Sequence, residues 1–241
     1  MKRMSSDLDA PTTDYDGFAE AYAAETESNL INGHYTRPAV LDLAGDVTGR
    51  RILDVGCGAG PLLESLRDRG AVVTGIEPSA EMLELAKRRL GEDVDLRLAD
   101  LQDPLPFPDN AFDDAIACLV LHYLEDWTAP LAELRRVLVP GGRVIVVVNH
   151  PYVYRLLHPE GDYFATHEYA EEYTFGGQSV VLTHWHRPLP TITAAFIEAG
   201  FRIASITEPP PAPGARERFP DLVTSPSGSF LCFLFFVLEA A

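Results

Sequence analysis

The strongest constraint in the chain is the run Ile52-Leu53-Asp54-Val55-Gly56-Cys57-Gly58-Ala59-Gly60. A short apolar strand runs straight into three alternate glycines, and Pro61 to Arg69 follows as a helix. Glycine allows a sharp backbone turn and a close approach to a ligand, because no Cβ stands in the way. Proline is acceptable in the first turn of the helix, and Gly70 reads as its stop. Dinucleotide-binding folds use G-x-G-x-x-G, whose third glycine lets the helix pack on the strand. Here the spacing is G-x-G-x-G, with proline at position 61, which disfavours a nicotinamide oxidoreductase. Alone, such a loop is also consistent with a tight turn. A second feature strengthens the functional reading. Glu77 closes the next strand, 77 − 54 = 23 residues after Asp54, where a carboxylate can accept hydrogen bonds from both hydroxyls of a ribose.

The pattern around this run alternates regularly. Strands are expected at Arg51–Val55, Ala71–Ile76, Val94–Leu98, Ala115–Val120 and Arg143–Val148. Helices are expected at Pro61–Arg69, Ser79–Leu90 and Thr128–Leu138, the second capped by Ser79 and the third ended by Gly141-Gly142. Continuous β-branched strands alternating with amphipathic helices imply a parallel sheet covered on both faces. Tyr15 to Leu43 reads as two or three helices broken near Gly33 and Pro38. Residues 1–14 read as a loose tail. Thr191–Ala199 is a further helix, Phe201–Thr207 a strand and Phe230–Leu238 a last strand. That final apolar run is far below the ~18 residues of a membrane-spanning helix.

The whole chain, 1–241, is expected to form a single domain. Residues 15–49 would be N-terminal helices and 50–148 the ligand-binding core. Residues 149–190 would be an irregular lid or substrate wall, and 191–241 the rest of the sheet. With 46% apolar residues in 241 the chain can bury a substantial core. Its formal charge is 19 − 36 = −17, and it has no basic patch, so a nucleic-acid partner is not expected. Cys57, Cys118 and Cys232 have no framework spacing and point to free thiols in a reducing cytosol. No apolar leader opens the chain, so a cytoplasmic protein without a membrane partner is expected.

Taken together, I-L-D-V-G-C-G-A-G, V-T-G-I-E-P-S, A-D-L-Q-D-P-L-P-F-P-D-N-A-F-D, I-A-C-L-V-L-H-Y-L and L-V-P-G-G-R resemble the class I S-adenosylmethionine-dependent methyltransferases over residues 51–148. The flanks N-L-I-N-G-H-Y-T-R-P and W-H-R-P-L-P-T-I-T-A-A-F-I-E-A-G-F resemble the small-molecule members of that group, less specifically. The resemblance implies an α/β fold: a doubly wound, seven-stranded, mostly parallel sheet with an antiparallel last strand and an N-terminal helical cap.

It also implies roles for particular residues. Gly56, Gly58, Gly60 and the backbone at Cys57 line the methionyl part of the cofactor, and Asp54 orders the loop. Glu77 holds the ribose, with Pro78 and Met82 flanking the adenine. Asp100 accepts from the adenine amino group, and the Leu101 N–H faces a ring nitrogen. The Cys118 carbonyl meets the methionyl ammonium. Tyr15, Tyr22 and Arg37 close over the cofactor, Arg37 pairing with its carboxylate. Tyr15 and Tyr22 are equally consistent with packing, Arg37 with a surface ion pair and Asp100 with a turn cap.

Methyl transfer from a sulfonium needs alignment and dryness, and it needs a base only where the acceptor must lose a proton early. His122 after the fourth strand and His150 after the fifth are the candidate bases, with helix-start packing and loop structure as their alternatives. Tyr152, Trp185 and His186 are candidates for the acceptor pocket. His184 and His186 are expected on opposite sides of a strand. The histidines lack metal-ligand spacing, so no metal site is expected. The crowd of tyrosines and phenylalanines in 149–190 suggests an aromatic or apolar acceptor, and suits a mini-core equally. The expected activity is methylation of a small molecule at oxygen, nitrogen or carbon, by a monomer or homodimer. A protein or RNA methyltransferase, and a cofactor-binding module without catalysis, are the alternatives.

Overall fold

The computed structural model describes residues 15–241; the expected tail, 1–14, lies outside the described residues. In chain order the elements are α1 (Ala19–Thr26), α2 (Arg37–Ala44), β1 (Arg51–Val55), α3 (Pro61–Asp68), β2 (Val72–Glu77), α4 (Ala80–Leu90), β3 (Asp95–Leu98), β4 (Phe112–Cys118), α5 (Thr128–Val137), β5 (Leu138–Asn149), α6 (Pro151–Leu157), β6 (His167–Phe175), β7 (Gln178–His186), α7 (Leu189–Glu198), β8 (Phe201–Thr207), α8 (Ala215–Arg218) and β9 (Phe233–Ala240). Seven strands form one sheet in the order β3-β2-β1-β4-β5-β9-β8. The pairs among β1 to β5 are parallel, and β9 runs antiparallel to both β5 and β8.

Period-two alternation sends successive side chains to opposite faces. Leu53, Val55, Ala115, Ala117, Val144 and Val146 join one core with α5 and α7. Ile52, Val73, Ile116, Ile145 and Val147 join a second core with α2 and α3. Burial on both faces explains why these strands read as unbroken apolar runs.

Several boundaries differ from the sequence reading. Gly141-Gly142 does not end the third amphipathic helix. α5 stops at Val137, where Leu138 turns extended, and both glycines lie inside the long β5. The last strand begins three residues later than its apolar run, at Phe233. Gly33 does not break the N-terminal helices: it lies in a π-helical turn, Asn32–Thr36, that leads directly into α2. A Cβ there would stand 2.9 Å from the Glu27 carbonyl oxygen, so the wide turn closes only over glycine.

Residues 149–190 are ordered rather than irregular. After α6, β6 and β7 form an antiparallel hairpin through Gly176 (φ +55°) and Gly177 (φ +83°), both left-handed as a tight two-residue turn requires. The hairpin lies against the N-terminal segment, where the Phe175 ring stacks on Phe18 at 5.7 Å. His184 and His186 are both 3% exposed. They share the inner face of β7, as residues two apart on a strand do, and the expectation of opposite sides is corrected.

The amino ends of β1, β4 and β5 are tied by Asp114, whose carboxylate accepts from Arg50 (Nη2, 2.8 Å) and Arg143 (Nε, 2.8 Å; Nη2, 2.9 Å). Arg143 also donates to the Ala44 carbonyl, binding α2 to the sheet. Removing one partner of a fully buried pair costs about 3–5 kcal/mol, and the partial exposure of both arginines reduces that figure. Asp114→Asn is expected to lose about 2–3 kcal/mol in urea unfolding; an unchanged midpoint would show the clamp to be dispensable.

Candidate functional site

The site lies at the carboxyl ends of β1, β2 and β4, where open α/β sheets bind ligands. Three left-handed glycines set the course of the loop after β1: Gly56 (φ +68°), Gly58 (φ +55°) and Gly60 (φ +80°). The Gly56 and Cys57 N–H groups both donate to the Ile76 carbonyl oxygen, at 2.8 and 3.0 Å, which pins the loop to β2. At Gly56 a Cβ would stand 2.6 Å from Val120 Cγ2, so the turn after β1 and the turn after β4 meet only with glycine there.

Glu77 joins the loop to the next helix. One carboxylate oxygen accepts the Gly58 N–H at 2.9 Å and the other accepts the Ser79 N–H at 3.0 Å. Ser79 Oγ then caps α4 by accepting the Met82 N–H, and donates to Asp16 at 2.5 Å. The N-terminal segment is thereby fastened to the rim. Burial pushes the Glu77 carboxyl up, against the opposing pull of the two N–H donors. Asp54, 2% exposed, is raised to about 8 by burial and by the Glu77 charge.

These elements enclose a cavity of about 540 Å³. Tyr15, Tyr22, Arg37, Asp54, Gly56, Cys57, Gly58, Glu77, Pro78, Met82, Asp100, Leu101 and Cys118 all line it. Gly60 does not. Its Cα faces α4, where a Cβ would meet Leu90 Cδ1 at 2.9 Å, so this glycine serves helix packing. Arg37 is held 3.9 Å from Glu27 and donates to the Thr26 carbonyl. Asp100 also accepts the Gln102 N–H at 2.9 Å, so a turn-capping role coexists with its place in the wall. Burial pushes the Cys118 thiol far up, which leaves it a neutral wall atom.

The expected base and acceptor residues are elsewhere. His122 is 4% exposed and points away, its ring 4.7 Å from Tyr123 and 5.2 Å from His184. Its Nδ1 has no hydrogen-bond partner, and burial pushes its pKa well below the usual range. His150 caps α6: Nδ1 accepts the Tyr152 N–H at 3.1 Å and Nε2 meets Glu208 at 2.7 Å. It lines a separate crevice together with Tyr152. Trp185 and His186 line a small cleft beside His122; His186 donates from Nε2 to the Tyr163 carbonyl and stacks on Tyr154 at 4.0 Å. None of these five side chains lines the cofactor-sized cavity.

The rest of the wall includes Leu119, Val120, Tyr123 and Leu124 after β4, with Asn32 and Thr36 from the π-turn. A 3₁₀ turn at Leu121–Tyr123 directs Tyr123 inward, while its neighbour His122 is turned away. The Tyr123 hydroxyl is 2.7 Å from that of Tyr15. Leu119 adopts φ +61°, a conformation that costs an L-residue of order 1 kcal/mol or more and clusters at ligand sites. The run Leu121-His122-Tyr123-Leu124 carried the sign of a polar wall residue, one position from the one expected. Among the described residues no group of three His, Cys, Asp or Glu side chains is placed to hold a metal ion.

Comparison with known proteins agrees with this geometry. Residues 53–146 match the family model described as a methyltransferase domain. The chain is 34% identical over 125 residues to a demethylmenaquinone methyltransferase of Tropheryma whipplei, covering 52% of each protein. It is 35% identical over 158 residues to a ubiquinone biosynthesis O-methyltransferase of Xylella fastidiosa, over 57% of this chain and 62% of that one. The matches thus span only about half to three-fifths of these relatives' length. Among solved structures, an S-adenosylmethionine-dependent methyltransferase from Mesorhizobium loti superimposes with a TM-score of 0.65 at 26% identity, over 84% of this chain and 96% of that one.

The ionisation of Asp54 gives the site a measurable signature. Below about pH 4 the carboxyl is protonated in folded and unfolded chains alike. Between about pH 4 and 8 the unfolded chain has lost the proton and the folded one keeps it, so this group's contribution falls as pH rises. Asp54→Asn is expected to stabilise the ligand-free protein by an amount that grows across that window and levels off above about pH 8. Urea unfolding at pH 5, 7 and 8.5 measures it, and a pH-independent difference would contradict the assignment. Residues 53–146 match a methyltransferase-domain model and the fold is shared with an S-adenosylmethionine-dependent methyltransferase, and this part of the chain is accordingly a class I S-adenosylmethionine-dependent methyltransferase domain, whose cofactor is S-adenosylmethionine.

Proposed function

We propose that this protein transfers a methyl group from S-adenosylmethionine to oxygen, nitrogen or carbon of a small, uncharged aromatic or apolar molecule. The observation that carries this is the mixed composition of the cavity wall. Asp54, Glu77 and Asp100 from the ends of β1 to β3, with Glu27 and Arg37 from the N-terminal cap, supply charged groups that suit a charged cofactor. Tyr15, Tyr22, Leu119, Val120, Tyr123 and Leu124 supply uncharged rings and aliphatic side chains that suit an uncharged aromatic body. The names of the two relatives, both concerned with quinones, point in the same direction.

The residues fit the cofactor. Glu77, held by Gly58 and Ser79, keeps lone pairs for two ribose hydroxyls; Pro78 and Met82 would flank the adenine; Arg37 would meet the carboxylate. S-adenosylmethionine, when bound, supplies an electrophilic methyl carbon on a sulfonium. The chain's part is to orient the acceptor and exclude water. Burial keeps the Tyr15, Tyr22 and Tyr123 hydroxyls protonated, Tyr22 being raised to about 12. They act as neutral hydrogen-bonding groups, not as bases. Among the described residues no imidazole lines the cavity, and the site suits an acceptor atom whose proton leaves late or has already left. The three cysteines are unbridged, in keeping with our inference of a reducing cytosol. Among the described residues no helix is long and apolar enough to cross a membrane.

Two measurements test the reading. In calorimetry with S-adenosylhomocysteine, Glu77→Ala is expected to lose about 100-fold or more in affinity, since hydrogen bonds to a charged group are worth ~1.5–3 kcal/mol each. Unchanged binding would refute the ribose assignment. Transfer of labelled methyl is expected to phenols, quinols or aromatic amines; label found only in RNA or protein would overturn the acceptor class.

A further inference from the structure

A second crevice, of about 350 Å³, opens at the same edge of the sheet and shares no lining residue with the cofactor cavity. β8 and β5 are both antiparallel to β9, so they run in the same direction and end at the same edge. His150 directly follows β5, Thr207 ends β8 and Glu208 follows it; Leu234 lies at the start of β9. The carboxyl edge of an open α/β sheet is where such folds take ligands, and this volume is at the lower end of small-molecule sites, ~300–1,000 Å³.

The polar groups in the crevice have set hydrogen-bonding roles. A backbone N–H can only donate, so the Tyr152 N–H makes His150 Nδ1 an acceptor. Nε2 of the same ring donates to Glu208 Oε1 at 2.7 Å, which leaves the other carboxylate oxygen available. Among the described residues no lysine or arginine lines the crevice. Tyr152, Tyr163 and Leu189 supply an aromatic and apolar wall.

We propose that this crevice is a second ligand site, independent of methyl transfer, that takes a small organic cation: a protonated amine on an aromatic or branched apolar body. The ammonium is drawn by Glu208, while the body replaces water against Leu189 and the tyrosines. A carboxylate of the same shape is repelled by Glu208.

The test is calorimetry with phenethylammonium chloride and, as the charge-reversed probe, sodium phenylacetate. Phenethylammonium is expected to bind at least about tenfold tighter than phenylacetate. Glu208→Gln is expected to lower its affinity about tenfold and Leu189→Ala, which removes part of the apolar wall, about threefold. An excess of S-adenosylhomocysteine should leave the amine's affinity unchanged, since the two cavities are lined by different residues. Circular dichroism melting confirms that each variant is folded, and if Glu208→Gln is not, Leu189→Ala decides. No binding of the amine, equal binding of phenylacetate, displacement by S-adenosylhomocysteine, or full affinity in a folded variant would each overturn the proposal.

Discussion

The site depends on one buried carboxylate. Glu77 accepts the Gly58 N–H with one oxygen and the Ser79 N–H with the other. The glycine loop after β1 and the start of α4 are thereby held at a fixed separation, and the cavity between them takes its shape from that bridge. The charge would be costly in such a place without those donors. Its nearest chemical neighbour, Asp54, carries the burial penalty with less relief and holds its proton to about pH 8. Of two acids on adjacent strand ends, one is set to remain an acceptor and the other to yield its charge until a cation arrives.

Around that bridge the fold recruits distant parts of the chain. Asp16 fastens the N-terminal segment to the α4 cap through Ser79 and the Glu81 N–H. The Tyr15–Tyr123 hydrogen bond joins the same segment to the turn after β4. The β6–β7 hairpin then presses Phe175 onto Phe18 and Tyr22 from outside. Tyr15, Tyr22 and the turn after β4 thus meet in the cavity wall with rings and aliphatic side chains, and the hairpin backs the first two from behind without lining the cavity. That composition excludes water, which is the main service a sulfonium-based displacement needs from a protein.

The central strands, the glycine loop and Glu77 were legible because each depends on local chemistry. β-branched runs need burial on both faces, left-handed turns need glycine, and an acid at a strand end beside a glycine loop stands next to backbone N–H groups it can accept from. The hairpin was not legible as such, although Gly176-Gly177 stands between two alternating runs. Its inner face carries histidine, tyrosine and glutamate where a buried strand usually carries aliphatic residues, so the apolar rhythm is hidden. That Tyr123 lines the cavity and His122 does not turns on the direction of a single 3₁₀ turn, which no residue pattern encodes. His150 stood where a base is expected and proved to be a helix cap, a role decided by the backbone conformation after β5. Gly60 shows the same limit: three glycines in one motif, of which the third serves α4 and not the cavity.

The most direct measurement is a crystal structure of the protein with S-adenosylhomocysteine. The account predicts the nucleoside in the cleft between the glycine loop and α4, with both ribose hydroxyls on the Glu77 carboxylate and the homocysteine tail directed toward Arg37. A nucleoside bound elsewhere, or one seated in the cleft with its sugar away from Glu77, would contradict it.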